Sequence, residues 1–355
     1  MLTCGKRKSK KSETYLSQIS HLHALEEEIL KLSGLQIPEE LQIIDIPITF
    51  QGESFLIHTY VCGSQNTESI VLVHGYGGSG LLYHRVLKDL CSKYRVYCLD
   101  MLGMGLSSRP EFKSTSTLET IEYFVESMEK WREAVGISHF NLGGHSFGGY
   151  ITAQYALKYP ERVKKLFLIS SAGITKPETE IKTSEYAKNL PWARRKMFLQ
   201  VMKYWDGGVT PGDFLRKHPI IGKMMLKNYM HRQFGNNGKE KKLAHDLLTF
   251  YKGTLLLKGG SDKALFYILK PPRALADLPL EDDLMNKLHI PIVCYFGDRD
   301  WVDQQGAHRI FKQGKKNFKV KIVENAGHHI PMHNPHKLCQ DLIMEIEGSD
   351  SVVVE

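Results

Sequence analysis

The chain has 355 residues, 42% of them hydrophobic and 24% charged, enough to bury one large core with an insertion and too apolar to remain disordered. No stretch approaches the roughly 18–20 uninterrupted apolar residues that a membrane-crossing helix needs. The net charge of +8 is uneven: residues 176–275 hold 20 Lys/Arg against 8 Asp/Glu, a net of +12, while the other 255 residues hold 27 against 31, a net of −4. A basic segment in a mildly acidic body fits an anionic surface as partner, with a merely solvated positive face as the plainer alternative. No nucleic-acid motif is present, so a phospholipid headgroup layer is the expected surface.

The N-terminus is basic (Lys6, Arg7, Lys8, Lys10, Lys11), but a Glu-bearing amphipathic segment follows it where a secretory signal would be apolar. The expectation is an intracellular, cytoplasmic protein, with a mitochondrial address left open. Cys4 beside that cluster is either a reversible acylation site or an incidental exposed cysteine. Cys62, Cys98 and Cys294 sit in apolar runs without disulfide or zinc spacing and are expected to be buried, reduced thiols. Across residues 12–33, Tyr15, Ile19, Leu22, Leu25, Ile29 and Leu32 recur at helical spacing up to Gly34, an amphipathic helix that covers the core or lies on a membrane.

Eight β-rich runs follow: Leu41–Phe50, Ser54–Val61, Ile70–His74, Arg95–Leu99, Phe140–Gly144, Val163–Ser170, Ile290–Phe296 and Phe318–Val323. The first two, joined by Gln51-Gly52-Glu53, predict an antiparallel hairpin. From the third onward the runs are almost continuously apolar and alternate with helical patterns at 81–93, 118–135, 147–158 and 334–346, which predicts a mostly parallel sheet covered on both faces, an α/β architecture. Between Ser171 and Leu288 the alternation stops and helix-like pieces rich in Lys, Met, Trp and Tyr take over. The expected organisation is a basic N-terminus and helix (1–39), a first core part (40–172), a helical lid (173–288), a second core part (289–347) and a frayed tail (348–355).

Gly144-His145-Ser146-Phe147-Gly148 fits the G-x-S-x-G turn, in which flanking glycines let a strand and a helix approach while the serine is held facing solvent. A strand pattern precedes it and a helix pattern follows. A hydroxyl attacking a carbonyl creates an oxyanion that needs preorganised donors, and His74-Gly75-Tyr76-Gly77-Gly78 after an apolar strand is a candidate donor loop. It matches neither a dinucleotide nor a Walker phosphate motif. Candidate bases are His328 and His329, after the last strand. Candidate acids are Asp298, Asp300 and Asp303, after the strand before it. Ile169-Ser170-Ser171-Ala172-Gly173 offers no acid. Asp100, at another strand end, is expected to brace its loop by hydrogen bonds, and His145, His333 and His336 to be structural or solvated.

With serine, donor loop, Gly-Asp-Arg-Asp and Gly-His in this order, the core resembles the α/β-hydrolase superfamily across about residues 40–346. The resemblance implies an α/β-hydrolase fold, with a mostly parallel eight-stranded sheet flanked by helices and a helical lid. It implies a Ser146–Asp300–His328 triad: Asp300 is third after the glycine, with Asp303 in reserve, and Pro335 lies seven residues after His328. The backbone N–H groups of Tyr76 and Phe147 then form the oxyanion hole. The lid runs Val209–Gly222 and Gly259–Phe266 resemble those of a subfamily that includes N-acyl-phosphatidylethanolamine lipase, the mitochondrial cardiolipin deacylase and the lipid-droplet coactivator of triacylglycerol lipase. The coactivator has asparagine where this chain keeps Ser146. The subfamily's His-x-x-x-x-Asp at the catalytic histidine, proposed for acyl transfer to lysophosphatidic acid, is not kept: His333 stands five after His328, and Asn334 five after His329. A separate His336-x-x-x-x-Asp341 on the final helix is expected to be ordinary surface.

The expectation is therefore a serine hydrolase that cleaves acyl esters of (lyso)phospholipids through an acyl-enzyme, with no cofactor and no metal. It is expected to be a monomer held peripherally on an anionic membrane or a lipid droplet, without nucleic acid. Trp192, Met197, Phe198, Met202, Tyr204, Trp205, Phe214, Met224, Met225 and Tyr229 offer apolar lid surface for acyl chains, although packing within the lid is the plainer reading for most of them. The alternatives are a membrane adaptor or lipase coactivator, a lysophosphatidic acid acyltransferase, and a soluble small-molecule ester or carbon–carbon hydrolase.

Overall fold

A computed structural model describes residues 10–179, 183–234, 238–257, 260–271 and 275–348. Cys4, Gly259 and the tail beyond Gly348 lie outside them. The strands β1 (Leu41–Phe50), β2 (Glu53–Cys62), β3 (Ser69–Val73), β4 (Arg95–Leu99), β5 (Phe140–His145) and β6 (Val163–Ile169) precede the helical insertion. A short pair, β7 (Leu269–Lys270) and β8 (Leu275–Ala276), lies inside it, and β9 (Ile292–Gly297) and β10 (Phe318–Val323) follow. The eight long strands form one sheet in the order β1-β2-β4-β3-β5-β6-β9-β10. All its pairings are parallel except β1–β2 and β2–β4.

The hairpin closes through Gln51 and Gly52, both at positive φ (52° and 79°), the handedness that matches the twist of the flanking strands. The central strands are buried on both faces, and period-two alternation divides their side chains between two cores. Val71, Val73, Leu142 and Leu168 face one core, under the helices Thr117–Val135 and Phe147–Lys158. Ile70, Leu72, Phe167, Ile169, Val293 and Tyr295 face the other, with Leu338 and Leu342 of the helix Pro335–Glu347.

The second core also receives the N-terminal helix Lys10–Leu30, with Leu22 and Ile29 buried and Ile19 and Leu25 partly so. Of the two readings of that apolar stripe, the structure places it on the core. Leu32 is 60% exposed, and Tyr15 is among the positions whose side chains are not described. At Gly253 a Cβ would come within 2.4 Å of Leu22 Cδ2, so its absence lets the helices Lys10–Leu30 and Gly238–Leu256 approach.

Several features depart from the sequence expectations. The helix Gln305–Lys312, which makes the parallel crossover from β9 to β10, was not anticipated. It spans eight residues, and although Ala307, Ile310 and Phe311 recur at helical spacing, that pattern covers little more than one turn, shorter than the stretch over which a helical period is read. Asp341 is not surface: it is 3% exposed and held by Lys337 and Lys321, whereas His336 is open to solvent. In the insertion Trp192, Met197, Met224, Met225 and Tyr229 are exposed, and of the ten apolar residues singled out there Met202 alone is buried. Cys62, Cys98 and Cys294 are buried free thiols, as expected. No described helix is long and apolar enough to cross a membrane.

Candidate active site

Ser146 stands between β5 and the helix Phe147–Lys158 with φ 56° and ψ −118°, a conformation that costs an L-residue energy and persists only when its surroundings impose it. The neighbouring glycines impose it here. A Cβ on Gly148 would lie 2.1 Å from the His74 carbonyl oxygen, and one on Gly144 would lie 2.5 Å from the Gly148 carbonyl oxygen, so strand, turn and helix meet at backbone contact. Phe147 N–H belongs to the first turn of its helix, whose N–H groups have no acceptor within the helix.

Three chain segments far apart in sequence converge on the serine. Ser146 Oγ lies 3.0 Å from His328 Nε2, and His328 Nδ1 lies 3.0 Å from Asp300 Oδ1. Asp300 follows β9 and His328 follows β10, both at C-terminal ends of parallel strands, where this architecture gathers its ligand-facing groups. Burial alone would raise the Asp300 carboxyl; the His328 hydrogen bond and charge outweigh it and hold the group below the usual carboxylate range. Val302 N–H also donates to Asp300 Oδ1, at 3.1 Å.

The competing candidates are engaged elsewhere. Asp303 accepts from Thr175 Oγ1 and from the Gln305 N–H at the start of a helix. Asp298 accepts from the N–H groups of Asn325 and Ala326, shaping the histidine loop. His329 is half-buried and its Nε2 meets the Tyr229 hydroxyl of the insertion. Asp100 braces its loop as expected, accepting from Gly80 N–H (2.7 Å) and Leu106 N–H (2.8 Å).

A shell of neutral imidazoles surrounds His328. His145 donates from Nε2 to the His328 carbonyl at 2.8 Å; burial first, and then the charge of His328, push its pKa down to about 3. His333 accepts from Gly327 N–H on Nδ1 (3.1 Å) and donates from Nε2 to the Gln233 carbonyl (2.9 Å), tying the helix Pro219–Phe234 to the histidine loop. Trp301, 59% exposed, lies with its ring 4.7 Å from that of His328. Sequence reasoning missed the links from His333 and His329 to the insertion, because their partners are 100 positions away. The donor-loop residue Tyr76 packs edge-on against Phe147 and donates its hydroxyl to the Asp262 carbonyl.

Residues 68–335 match the family model described as alpha/beta hydrolase fold. The chain belongs to the α/β-hydrolase fold family. A probable 1-acylglycerol-3-phosphate O-acyltransferase of Oryza sativa subsp. japonica is 34% identical to this α/β-hydrolase over 76% of the chain and 65% of its own length. The chain thus spans a little under two thirds of that relative. The (lyso)-N-acylphosphatidylethanolamine lipase of Mus musculus is 28% identical over 75% of each protein. Among solved structures, carboxylesterase CesB from Bacillus subtilis superposes with a TM-score of 0.63 at 19% identity, covering 94% of this chain and 99% of its own, a likeness of fold.

Proposed function

We propose that this chain is a serine hydrolase that cleaves acyl esters of (lyso)phospholipids through an acyl-enzyme on Ser146. The observation that carries the reading is the hydrogen-bonded line Ser146–His328–Asp300. Neutral His328 Nε2 accepts the serine proton as Oγ attacks the acyl carbonyl, and Asp300 holds the ring with Nδ1–H toward itself and stabilises the imidazolium. The N–H groups of Phe147 and Tyr76 donate to the oxyanion, and each such donor contributes on the order of 10²–10³ in rate. His328 returns the proton to the departing alcohol, then activates the water that releases the fatty acid. The steps use protein groups and water throughout.

The lipid class rests on the insertion. Its helix Trp192–Asp206 exposes Trp192 (78%) and Met197 beside Arg194, Arg195 and Lys196, and its helix Pro219–Phe234 exposes Ile220 (85%), Met224 and Met225 beside Lys223 and Lys227. Apolar groups flanked by cations suit a peripheral contact with an anionic lipid surface, to which each cation contributes about 1 kcal/mol. The mouse relative is named as a lipase of a phospholipid, which agrees. The rice relative's name favours a second reading, acyl transfer to a lysophosphatidic acid hydroxyl. Both reactions share the acyl-enzyme and differ in whether water or the acceptor takes the acyl group.

Incubation of wild-type chain and Ser146→Ala with a phospholipid and lysophospholipid panel, with and without lysophosphatidic acid, decides between them. Free fatty acid from wild type alone supports the hydrolase. Serine-dependent formation of diacylated acceptor with little free acid supports the acyltransferase. Equal activity of the two proteins overturns both and leaves an adaptor role.

A further inference from the structure

We propose that His23, Glu26 and His58 form a binding site for a divalent transition-metal ion of the zinc class, which clamps the N-terminal helix to the sheet. His23 and Glu26 are one helical turn apart on Lys10–Leu30, so both point to the same side of the helix. That side faces His58 on β2. Glu26 Oε2 is 3.2 Å from His23 Nδ1, Glu26 Oε1 is 2.9 Å from His58 Nε2, and the three ligand atoms all lie within 4.8 Å of one another. Donors bound tetrahedrally at zinc distances are about 3.3 Å apart, so small side-chain shifts would admit the ion.

The surroundings fit a cation. His58 turns its other nitrogen, Nδ1, to Asp45 Oδ1 at 2.7 Å, the carboxylate behind a metal-bound imidazole that fixes its tautomer and raises its basicity. Asp100, buried, donates its backbone N–H to the His58 carbonyl. Two carboxylates, Glu26 and Asp45, therefore flank one buried imidazole, while the Asp100 carboxylate is taken up by the N–H groups of Gly80 and Leu106; a bound cation would sit between Glu26 and the imidazole in place of the Nε2 proton. Two imidazoles and a carboxylate suit zinc or its first-row neighbours and do not suit magnesium, which prefers an all-oxygen shell. His23 is 44% exposed, which supplies an entry path for the ion. Without the ion, His58 donates from both nitrogens to carboxylates; the ion takes the place of the Nε2 proton, which leaves to solvent.

The test is calorimetric titration of the chelator-treated full chain with Zn²⁺ alone and, separately, with Mg²⁺. One Zn²⁺ per chain with no Mg²⁺ signal, an affinity lowered at least tenfold in His23→Ala, and one lowered about 10–100-fold in Asp45→Asn are expected. His23→Ala removes a half-exposed side chain and tests the site without emptying the core. Slower proteolysis within residues 10–30 when Zn²⁺ is present, in wild type and not in His23→Ala, is the second expected readout. Absence of micromolar Zn²⁺ binding, or binding and protection unchanged in His23→Ala, overturns the proposal.

Discussion

Gly148 shows how closely single residues set the reaction geometry. Since a Cβ there would meet the His74 carbonyl at 2.1 Å, Gly148→Ala must push the donor loop away from Ser146. A cost of about 1–3 kcal/mol in stability is expected, with kcat falling further than KM changes. A urea titration and steady-state ester kinetics check it, and a variant as stable and active as wild type would contradict the close approach. Asp300→Asn keeps the shape but cannot hold the His328 tautomer, so kcat should drop by about 10³–10⁴-fold with little change in folding; a drop under tenfold would mean that another acid serves. The offset of Asp300 from Gly297 and of His328 from Pro335 was legible in the sequence, because the positions are local to one loop. Invisible there were the contacts of His145, His329 and His333, which depend on where remote segments land.

At the scale of elements, the N-terminal helix is fastened by charge as well as by packing. Burial alone would raise Glu26, but hydrogen bonds from His23 and His58 hold it down at about 2. Burial would lower His58, yet Asp45 and Glu26 push it up to about 10. In the metal-free chain, Glu26 therefore contributes stability that is present above about 4.5 and lost as pH falls toward 2. His58 contributes stability present below about 6.5 and lost as pH rises through 10. Glu26→Gln leaves the buried imidazolium with one partner fewer, and a loss of about 3–5 kcal/mol is expected from chemical denaturation at pH 7. A change below 1 kcal/mol would show that packing alone holds the helix. The sequence displayed the apolar stripe of this helix and hid the ion pair, since Glu26 and His58 lie 32 positions apart on different elements. The insertion was legible as helical. Which of its aromatic and methionine side chains face solvent was not, because short helices packing on several sides leave no single period.

Across the whole molecule, the order of β-rich and helical runs was enough to foretell a mostly parallel, doubly covered sheet, because buried parallel strands read as continuous apolar runs. The fold also stores several histidines in neutral form. Burial lowers His145 to about 3 and His84 to about 4, and it depresses His74 and His333 as well. An unfolded chain binds those protons near pH 6.5, so stability is present above that value and falls as pH drops below it, by up to about 1.4 kcal/mol per unit for each group. The urea midpoint should therefore decline clearly between pH 7 and pH 4.5, and an unchanged or higher midpoint at pH 4.5 would contradict the neutral shell. The central claim, that Ser146 is the acyl-accepting nucleophile, is tested most directly by covalent capture. The full chain is treated with a serine-directed fluorophosphonate, and the adduct is located by peptide mass spectrometry. A single adduct on Ser146, lost in Ser146→Ala and strongly slowed in His328→Ala, is the expected result; no adduct, or one that persists in Ser146→Ala, would contradict it.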